Sequence, residues 1–488
     1  MKKITRILVV CALLVGVICA LVACSENTKQ KAISTDVTGA TVIDNGGMAV
    51  QYGSYVYFIN GYVGSDADNT FGNVVKGAIC RTTLKNGEPD YTTVEVIVPK
   101  NVYGSDTKYP GIYILDGYIY YHTTSVEKNS KREYKTDEGV LMRTSIDGSK
   151  TEKLVSFSDN ASVIYAGDNS KYLVYVTDSY IYSLNTANKE TTLLSRSNAK
   201  KPEDEKQTAV AYTFGGDFLV YTMYNYATDV ESNYNKDYIV WFYNLKTGEH
   251  KAIMSSAIYD GGQLFTTTVT GLVPAADGNS FTLYYSKSGK DNNQSNGFYS
   301  QSFNATNPTF NKDTEVRYTV DSDTVSYTKF FALKNGYTLA FADKFFDVFA
   351  ADGTPVMQDN LPLRLLSDNT TSLTLIDVEE TDTEVYARYI ANDTFTQFAL
   401  FAKADGAYTV ADDGNALKFF SGKYHSSYTT YDFIGDTIYY LNENMNDNAY
   451  YYVIPSMDKL QPGNDEDIAT GKILGIIIES DQIELLKK

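Results

Sequence analysis

Three side-chain oxygen donors, Asp66, Asp68 and Asn69, fall within one short stretch of this chain, close enough together to begin a cation site. Calcium takes six to eight oxygens, and the spacing of a helix-loop-helix calcium loop, with its distant Glu, is absent. The stretch therefore reads as a solvated acidic loop, and no metal is assigned. The three histidines, His122, His250 and His425, are far apart in the chain with no helical pairing, which gives a histidine metal site little support. Cys80 sits between Ile79 and Arg81 and reads as a small buried thiol rather than a nucleophile. No G-x-S-x-G elbow, H-E-x-x-H or P-loop occurs. A glycosidase needs only two carboxylates about 5 to 10 Å apart, which leaves that chemistry open among 60 acidic residues. Many of those acids, including Asp147, Asp352 and Asp405, stand before a glycine and read as turn residues.

The amino terminus carries a different kind of chemistry. Lys2, Lys3 and Arg6 precede an apolar run from Ile7 to Val22 that ends in Leu21-Val22-Ala23-Cys24. A basic start, a short apolar run and a small residue before a cut describe a signal peptide over 1–23, too short to match the roughly 20 residues of a membrane-spanning helix. Leu21-Val22-Ala23-Cys24 resembles the bacterial lipobox. The resemblance implies that Cys24 receives a diacylglyceryl thioether and becomes the acylated first residue, and two or more acyl chains suffice for stable anchoring. Cys11 and Cys19 leave with the signal and the Cys24 sulfur is consumed, so Cys80 has no partner for an intramolecular disulfide. Loss of Lys2, Lys3 and Arg6 takes 42 basic residues to 39 against 60 acidic, a formal charge of −21. Such a surface repels phosphate backbones and anionic headgroups, which excludes nucleic acid as an expected partner. Residues 24–40 are polar and read as a flexible lipidated tether, with an r.m.s. span of about 25 Å for roughly 20 residues.

From 41 to 488 the chain is a repeat array, read as one domain. Its first segments run Val56-Tyr57-Phe58-Ile59, Ile119-Tyr120-Tyr121, Val174-Tyr175-Val176, Val220-Tyr221-Thr222, Leu283-Tyr284-Tyr285, Leu339-Ala340-Phe341, Val385-Tyr386-Ala387 and Ile438-Tyr439-Tyr440, at intervals of 46 to 63 residues. Each is followed by a second segment that ends in a turn, such as Ile79-Cys80-Arg81 running to Asn86-Gly87 and Leu141-Met142-Arg143 running to Asp147-Gly148. Asn-Gly and Asp-Gly tolerate the positive φ of tight hairpins, so the second segments read as strand, turn, strand. Strand-like units of this period predict an all-β fold, a β-propeller of eight blades with seven as the alternative. Ile473 to Ile478 and Ile483 to Leu486 are the expected final strands, candidates to close the ring by sharing a blade with the first strands. Tyrosine is the compositional outlier, 42 residues against one Trp. Most tyrosines lie in or beside the first segments, where a ring buried between blades can send its hydroxyl to backbone or solvent.

Asp116-Gly117-Tyr118-Ile119-Tyr120-Tyr121, Leu141-Met142-Arg143-Thr144-Ser145-Ile146-Asp147-Gly148-Ser149 and Gly435-Asp436-Thr437-Ile438-Tyr439-Tyr440-Leu441-Asn442 carry a likeness. With them the chain resembles bacterial surface lipoproteins of unknown function that contain a β-propeller domain like that of low-density-lipoprotein receptors. The receptor-type Tyr-Trp-Thr-Asp signature is only echoed, nearest in Tyr175-Val176-Thr177-Asp178. The resemblance implies fold and surface location and brings no catalytic residues with it.

Loop lengths indicate a binding face. The first and second segments are separated by 18 residues at Gly61 to Ala78, 17 at Thr124 to Val140 and 15 at Asn225 to Ile239. Lys287 to Gly297 is also long, while the third and sixth units have only two residues there. Connections of one type emerge on one face of a propeller, so these four form an expected rim, with Asp66, Asp68, Asn69, Tyr134, Tyr226, Tyr234 and Asn292 as its contact residues. The expected protein is a non-catalytic, extracytoplasmic lipoprotein, held to the membrane through Cys24, that binds or scaffolds an extracellular protein or glycan and uses no cofactor. A scaffold subunit of an envelope assembly machine and a cryptic carbohydrate-active enzyme are the alternatives.

Overall fold

The computed structural model describes residues 41–60, 77–86, 88–90, 93–100, 102, 111–124, 139–157, 163–177, 180–195, 209–226, 236–255, 265–289, 297–320, 327–342, 346–357, 373–391, 394–410, 417–420, 431–434, 437–445, 448–454 and 472–474. They form eight antiparallel sheets, each a meander of neighbouring strands. Sheet one comprises Val42–Ile43, Ala49–Tyr52, Tyr55–Ile59, Ile79–Lys85 and, both paired to the last of these, Glu88–Pro89 and Glu95–Val98. Sheet two is Tyr113–Leu115, Tyr118–Thr124, Gly139–Ser145 and Thr151–Ser156; sheet three is Val163–Tyr165, Tyr172–Thr177, Tyr180–Asn185 and Thr191–Leu193. Sheet four is Ala211–Gly215, Phe218–Tyr226, Lys236–Asn244 and His250–Ser255; sheet five is Phe265–Pro274, Ser280–Gly289, Gly297–Asn304 and Val316–Tyr318. Sheet six is Lys329–Ala332, Thr338–Phe341, Phe346–Phe349 and Pro355–Met357. Sheet seven is Leu373–Glu380, Glu384–Ala391 and Thr394–Ala404, with Ala407–Val410 and Leu417–Phe420 both on the last of these; sheet eight is Tyr431–Ile434, Thr437–Met445, Asn448–Ile454 and Lys472–Leu474. With Val42–Ile43 taken as an added edge strand and Ala49–Tyr52 as the first strand of sheet one, every first segment of the repeat lies on a second strand and every second segment on a third. Among the described residues no helix is long and apolar enough to cross a membrane.

These strands are built for burial on both faces. Val56, Tyr57, Phe58 and Ile59 are consecutive and all at most 1% exposed, although successive side chains of a strand point to opposite sides. Each sheet therefore needs a neighbour on either side, and the apolar clusters show where the neighbours lie. One cluster joins Tyr113 and Leu141 of sheet two to Leu173 and Tyr175 of sheet three, and another joins Val174 and Ile181 to Leu219 and Tyr221 of sheet four. The same relation links sheets four and five through Phe242 and Phe281, five and six through Tyr284 and Phe349, and six and seven through Phe341 and Tyr389. Sheets one and two share a cluster that also takes in Ile434 of sheet eight. Among the described residues the apolar clusters thus run from sheet one to sheet seven and join sheet eight back to sheets one and two, and the fold is a β-propeller.

The first strands lie toward the axis. Tyr113, Tyr165 and Phe214, on the first strands of three successive sheets, contact one another at ring-centroid distances of 6.0 and 4.3 Å. Fourth strands such as Thr191–Leu193 and Ala407–Val410 are largely exposed.

Lys472–Leu474 pairs with Asn448–Ile454 inside its own sheet, Val42–Ile43 pairs with Ala49–Tyr52 inside sheet one, and Ile434 of sheet eight packs in the apolar cluster of sheets one and two. The remaining candidate terminal residues lie outside the described set. At the other end, Asn45 covers the first strand of sheet two. Its side chain accepts from the Ile114 N–H at 2.7 Å and donates to the Ile114 carbonyl at 3.2 Å, occupying backbone groups that an open edge would expose.

Turn chemistry follows the sequence. Asp116-Gly117 and Asp405-Gly406 both have two successive positive φ angles, as a tight hairpin turn requires. Gly111 has a further constraint, because it combines φ +81° with a position where an added Cβ would stand 1.9 Å from the Gly46 carbonyl oxygen. Gly117 has φ +73° with nothing within 4 Å of that position. Gly117→Ala should cost about 1–2 kcal/mol for the left-handed backbone alone, whereas Gly111→Ala adds a backbone clash and should cost at least about 3 kcal/mol. Denaturant unfolding of both variants checks the difference, and equal losses would contradict the close approach of sheets one and two.

Candidate functional site

Two cross-strand rows of identical chemistry occur in sheets one and two. In sheet one, Tyr57 lies opposite Arg81, and Arg81 opposite Glu95; in sheet two, Tyr120 lies opposite Arg143, and Arg143 opposite Glu152. Arg81 is 1% exposed and donates to Glu95 from Nε at 3.0 Å and from Nη2 at 2.8 Å. Its guanidinium also lies 4.4 Å from the Tyr55 ring centroid, as that of Arg143 does from the Tyr118 ring. Arg143 donates to Glu152 at 2.9 Å, to the Tyr120 hydroxyl at 3.2 Å and to the Thr186 carbonyl of sheet three at 2.8 Å. Arginine suits the slot because its planar fork meets a carboxylate with two bonds while its face stacks on an aromatic ring.

These rows tie neighbouring sheets together. The Tyr57 hydroxyl donates to the Ile146 carbonyl of sheet two at 3.1 Å, and the Tyr221 hydroxyl of sheet four donates to the Leu194 carbonyl of sheet three at 2.9 Å. Tyr284 and Thr338 make a hydroxyl pair between sheets five and six at 3.3 Å. The expected role of the tyrosines, rings buried between blades with hydroxyls on backbone, is met at these positions.

Other ionisable groups are committed in the same way. Lys287 pairs with Glu315 at 2.6 Å and lies 4.2 Å from the Tyr299 ring centroid. Arg388 pairs with Asp377 at 2.5 Å and with Glu379 at 3.1 Å, and Tyr386 donates to Glu379. Lys403 pairs with Glu380 at 2.9 Å, and Tyr327 donates to the buried Asp347 carboxylate. Asp147 and Asp352 are turn residues as expected, each accepting from the backbone N–H two residues on, at 2.9 and 3.0 Å. Among the described residues no three His, Cys, Asp or Glu side chains gather as a metal site. Cys80 is fully buried, and burial pushes its thiol up to about 12, away from nucleophilic use.

The expected rim falls mostly outside the described residues: Asp66, Asp68, Asn69, Tyr134, Tyr234 and Asn292 lie there, as does Cys24. Tyr226 ends the second strand of sheet four, in backbone register with Lys236. Two of the long connections are shorter than the sequence suggested. Sheet four pairs as far as Tyr226 and Lys236, and sheet five pairs Lys287 with Gly297. Lys287 is consequently a buried strand residue in an ion pair, not a rim residue.

The strand ends beneath the first two long connections carry buried polar groups that sequence reasoning missed. Asn60 and Thr123 are at most 2% exposed, and Lys100 is fully buried, with its Nζ 3.5 Å from the Met142 sulfur. None of these three lacks a partner. His122 is 1% exposed, meets the Phe157 ring edge-on at 5.5 Å, and has no hydrogen bond to Nε2 among the described residues. Burial lowers its pKa to about 4, so the ring is neutral in the folded protein. The one available signal for the ion-pair rows was the recurrence of Arg at the same place in Ile79-Cys80-Arg81 and Leu141-Met142-Arg143.

No family model matches the chain, and no curated protein matches it in sequence. Solved structures with a similar arrangement include Porphyromonas gingivalis dipeptidyl peptidase 4, at 10% identity and a TM-score of 0.42, over 87% of this chain and 60% of that one. They also include the β-propeller domain of the Trilobed protease from Pyrococcus furiosus, at 12% identity and 0.35, over 77% and 99%. A chain of a nidogen/laminin complex is similar at 10% identity and 0.26, over 59% and 90%.

Glu152 and two buried histidines contribute to the acid limb of stability; burial lowers the His250 pKa to about 4, as it does that of His122. Burial raises the Glu152 pKa, but hydrogen bonds from Lys150, Lys189 and Arg143 outweigh it and hold the carboxyl at about 2. Its contribution is complete above the unfolded value near 4.5 and is lost as pH falls toward 2. It amounts to about 2 kcal/mol once the partly exposed lysines are discounted for screening. His122 loses its contribution earlier, as pH falls from 6.5 to about 4, because the unfolded ring takes a proton that the folded one refuses; the full loss is about 3 kcal/mol. Unfolding midpoints between pH 7.5 and 3 should therefore decline in two stages. Replacing His122 by Leu should reduce the upper stage by about half, His250 carrying the rest, and Glu152→Gln should flatten the lower, while lowering stability at pH 7. An unchanged upper slope in the His122 variant would contradict its burial as a neutral ring.

Proposed function

We propose that the chain is an extracytoplasmic lipoprotein, tethered through Cys24, whose ring of eight blades binds or scaffolds an extracellular protein or glycan without catalysing a reaction. The observation that carries this reading is the common direction of the connections. Each sheet is a meander with the same strand order, so every link from second to third strand emerges on one face, and the long links after Ile59, Thr124, Tyr226 and Gly289 all belong to it. Links from first to second and from third to fourth strand emerge on the other face and include tight turns such as Asp116-Gly117 and Asp147-Gly148. A face of long connections on a rigid ring is where recognition is commonly built.

The non-catalytic part of the reading is supported by the commitment of the acids described above to ion pairs, turns and tyrosine hydroxyls. The count of eight is supported by eight sheets whose packing returns from Ile434 to sheet one. The membrane anchor is supported by the sequence Leu21-Val22-Ala23-Cys24.

Two experiments test this. A glycan and surface-protein array is probed with residues 25–488 and with a form in which 62–75, 126–137, 228–234 and 291–295 are replaced by short Gly-Ser turns. The expected result is binding by the first form, lost in the second, with thermal unfolding unchanged; binding that survives shortening would move the recognition surface elsewhere. Metabolic labelling with a fatty acid should mark the full chain and fail for Cys24→Ala, which should leave the membrane fraction. A labelled, membrane-bound Cys24→Ala chain would overturn the anchor.

A further inference from the structure

The path by which the chain joins the ring fixes which face is nearer its anchor. Val42 pairs with Tyr52 and Ile43 with Gln51, antiparallel, on the edge of Ala49–Tyr52 that faces away from Tyr55–Ile59. The Gly53 N–H donates to the Thr41 carbonyl at 3.2 Å. Gly53 and Ser54 form the turn from first to second strand of sheet one. Thr41 therefore lies at the short-turn face, and the strand that follows it runs away from that face. It also lies at the inner edge of the sheet, since the first strands surround the axis.

The segment is held there firmly. The Gly46 N–H donates to the Ile112 carbonyl at 2.9 Å, the Ile112 N–H donates to Gly47 at 2.8 Å, and Asn45 grips Ile114 through both of its backbone groups. The chain is thus bonded to two sheets before the ring proper begins.

We infer that the lipoprotein stands with its short-turn face toward the membrane and presents the face of long connections outward, an inference that rests on lipidation of Cys24. Length decides it. Sixteen residues lie between Cys24 and Thr41, and for the flexible tether that their composition predicts the r.m.s. reach is about 22 Å. Turning the other face to the bilayer would take the tether outward past four strands and then down the side of the sheet, about 45–50 Å in all. That is close to the roughly 60 Å of a fully stretched tether, and a flexible chain rarely adopts it. The partner of the outward face therefore comes from the surroundings, and the bilayer that holds the protein leaves that face free. The acidic surface adds a stand-off from anionic headgroups, so the short-turn face hovers above the lipid without docking on it.

The test uses the lipidated full chain in vesicles that contain a small fraction of acceptor-labelled lipid. One donor fluorophore is placed at Asp277→Cys, in the exposed turn before Ser280–Gly289, or at Ser288→Cys, exposed at the far end of the same strand. Cys80 is buried and stays unlabelled in the folded protein. The two sites are separated by about 25–30 Å along the ring axis, so energy transfer to lipid should be about two-fold greater from position 277 than from 288. Equal transfer, or more from 288, overturns the orientation. No transfer from either, with the protein in the supernatant, overturns the lipid anchor itself and the orientation with it.

Discussion

Burial on both faces of the sheets is, among the described residues, the constraint from which the rest of the architecture follows. In an ordinary antiparallel sheet with one wet face, apolar and polar residues alternate. Here the second strands carry runs such as Leu173-Val174-Tyr175-Val176, all at most 4% exposed, and Leu219-Val220-Tyr221, all fully buried. A lone sheet of this kind would leave one apolar face in water, and an open stack would leave two at its ends. Closing the stack removes both. The cluster holding Ile434 of the last sheet together with Val50, Phe58 and Tyr121 is the physical expression of that closure.

Between sheets the apolar clusters supply most of the contact, and the hydroxyl and guanidinium groups supply its geometry. An apolar surface tolerates sliding, whereas a bond from Tyr57 to the Ile146 carbonyl, or from Arg143 to the Thr186 carbonyl, fixes one offset between neighbours. Buried polar groups that end without partners are expensive, so each such bond also penalises alternatives to the native offset. The tyrosine content follows from the two demands together. Phenylalanine would bury the ring without the tether, and serine would tether without filling the gap. Ala340 and Asp347 in sheet six depart from the row, and Tyr327 reaches the carboxylate from the preceding segment to satisfy it.

Architecture was legible in the sequence because the long second and third strands carry the repeat. Val56-Tyr57-Phe58-Ile59 and its counterparts vary little in chemistry, since each fills the same kind of gap. First strands such as Tyr113–Leu115 are buried but too short to show a period of their own, and fourth strands such as Thr191–Leu193 and Ala407–Val410 are largely exposed, which leaves their composition loosely restricted. In sheets one and seven the fourth position is divided between two segments, which no period would reveal. Lys287 misled because a charge beside Ser288 and Gly289 reads as loop, while its real role depends on Glu315, on another strand. Asn60, Lys100 and Thr123 escaped notice for the same reason: their burial is set by contacts between strands distant in sequence. Pairings of Arg81 with Glu95 and of Arg143 with Glu152 have different chain separations, so spacing alone gave no common signal.

The same burial pattern separates stability from variation on the face of long connections. The first long connection leaves from Ile59 and Asn60 and returns at Ala78 and Ile79, all at most 2% exposed. The second leaves from Thr123, fully buried, and Val140, at 1% exposure, lies just inside its return. Backbone bonds close the base of the first as well, with Asn60 N–H on the Ala78 carbonyl and Gly77 N–H on the Asn60 carbonyl, at 2.7 and 2.5 Å. A connection whose two ends are already joined costs little more when lengthened, because the added closure entropy grows only with the logarithm of its length. Length and composition beyond those ends are therefore nearly free of the fold, while on the opposite face turns such as Asp116-Gly117 and Asp405-Gly406 are bound to their φ angles. Backbone geometry holds the turns of one face constant, while the connections of the other are free to vary in length.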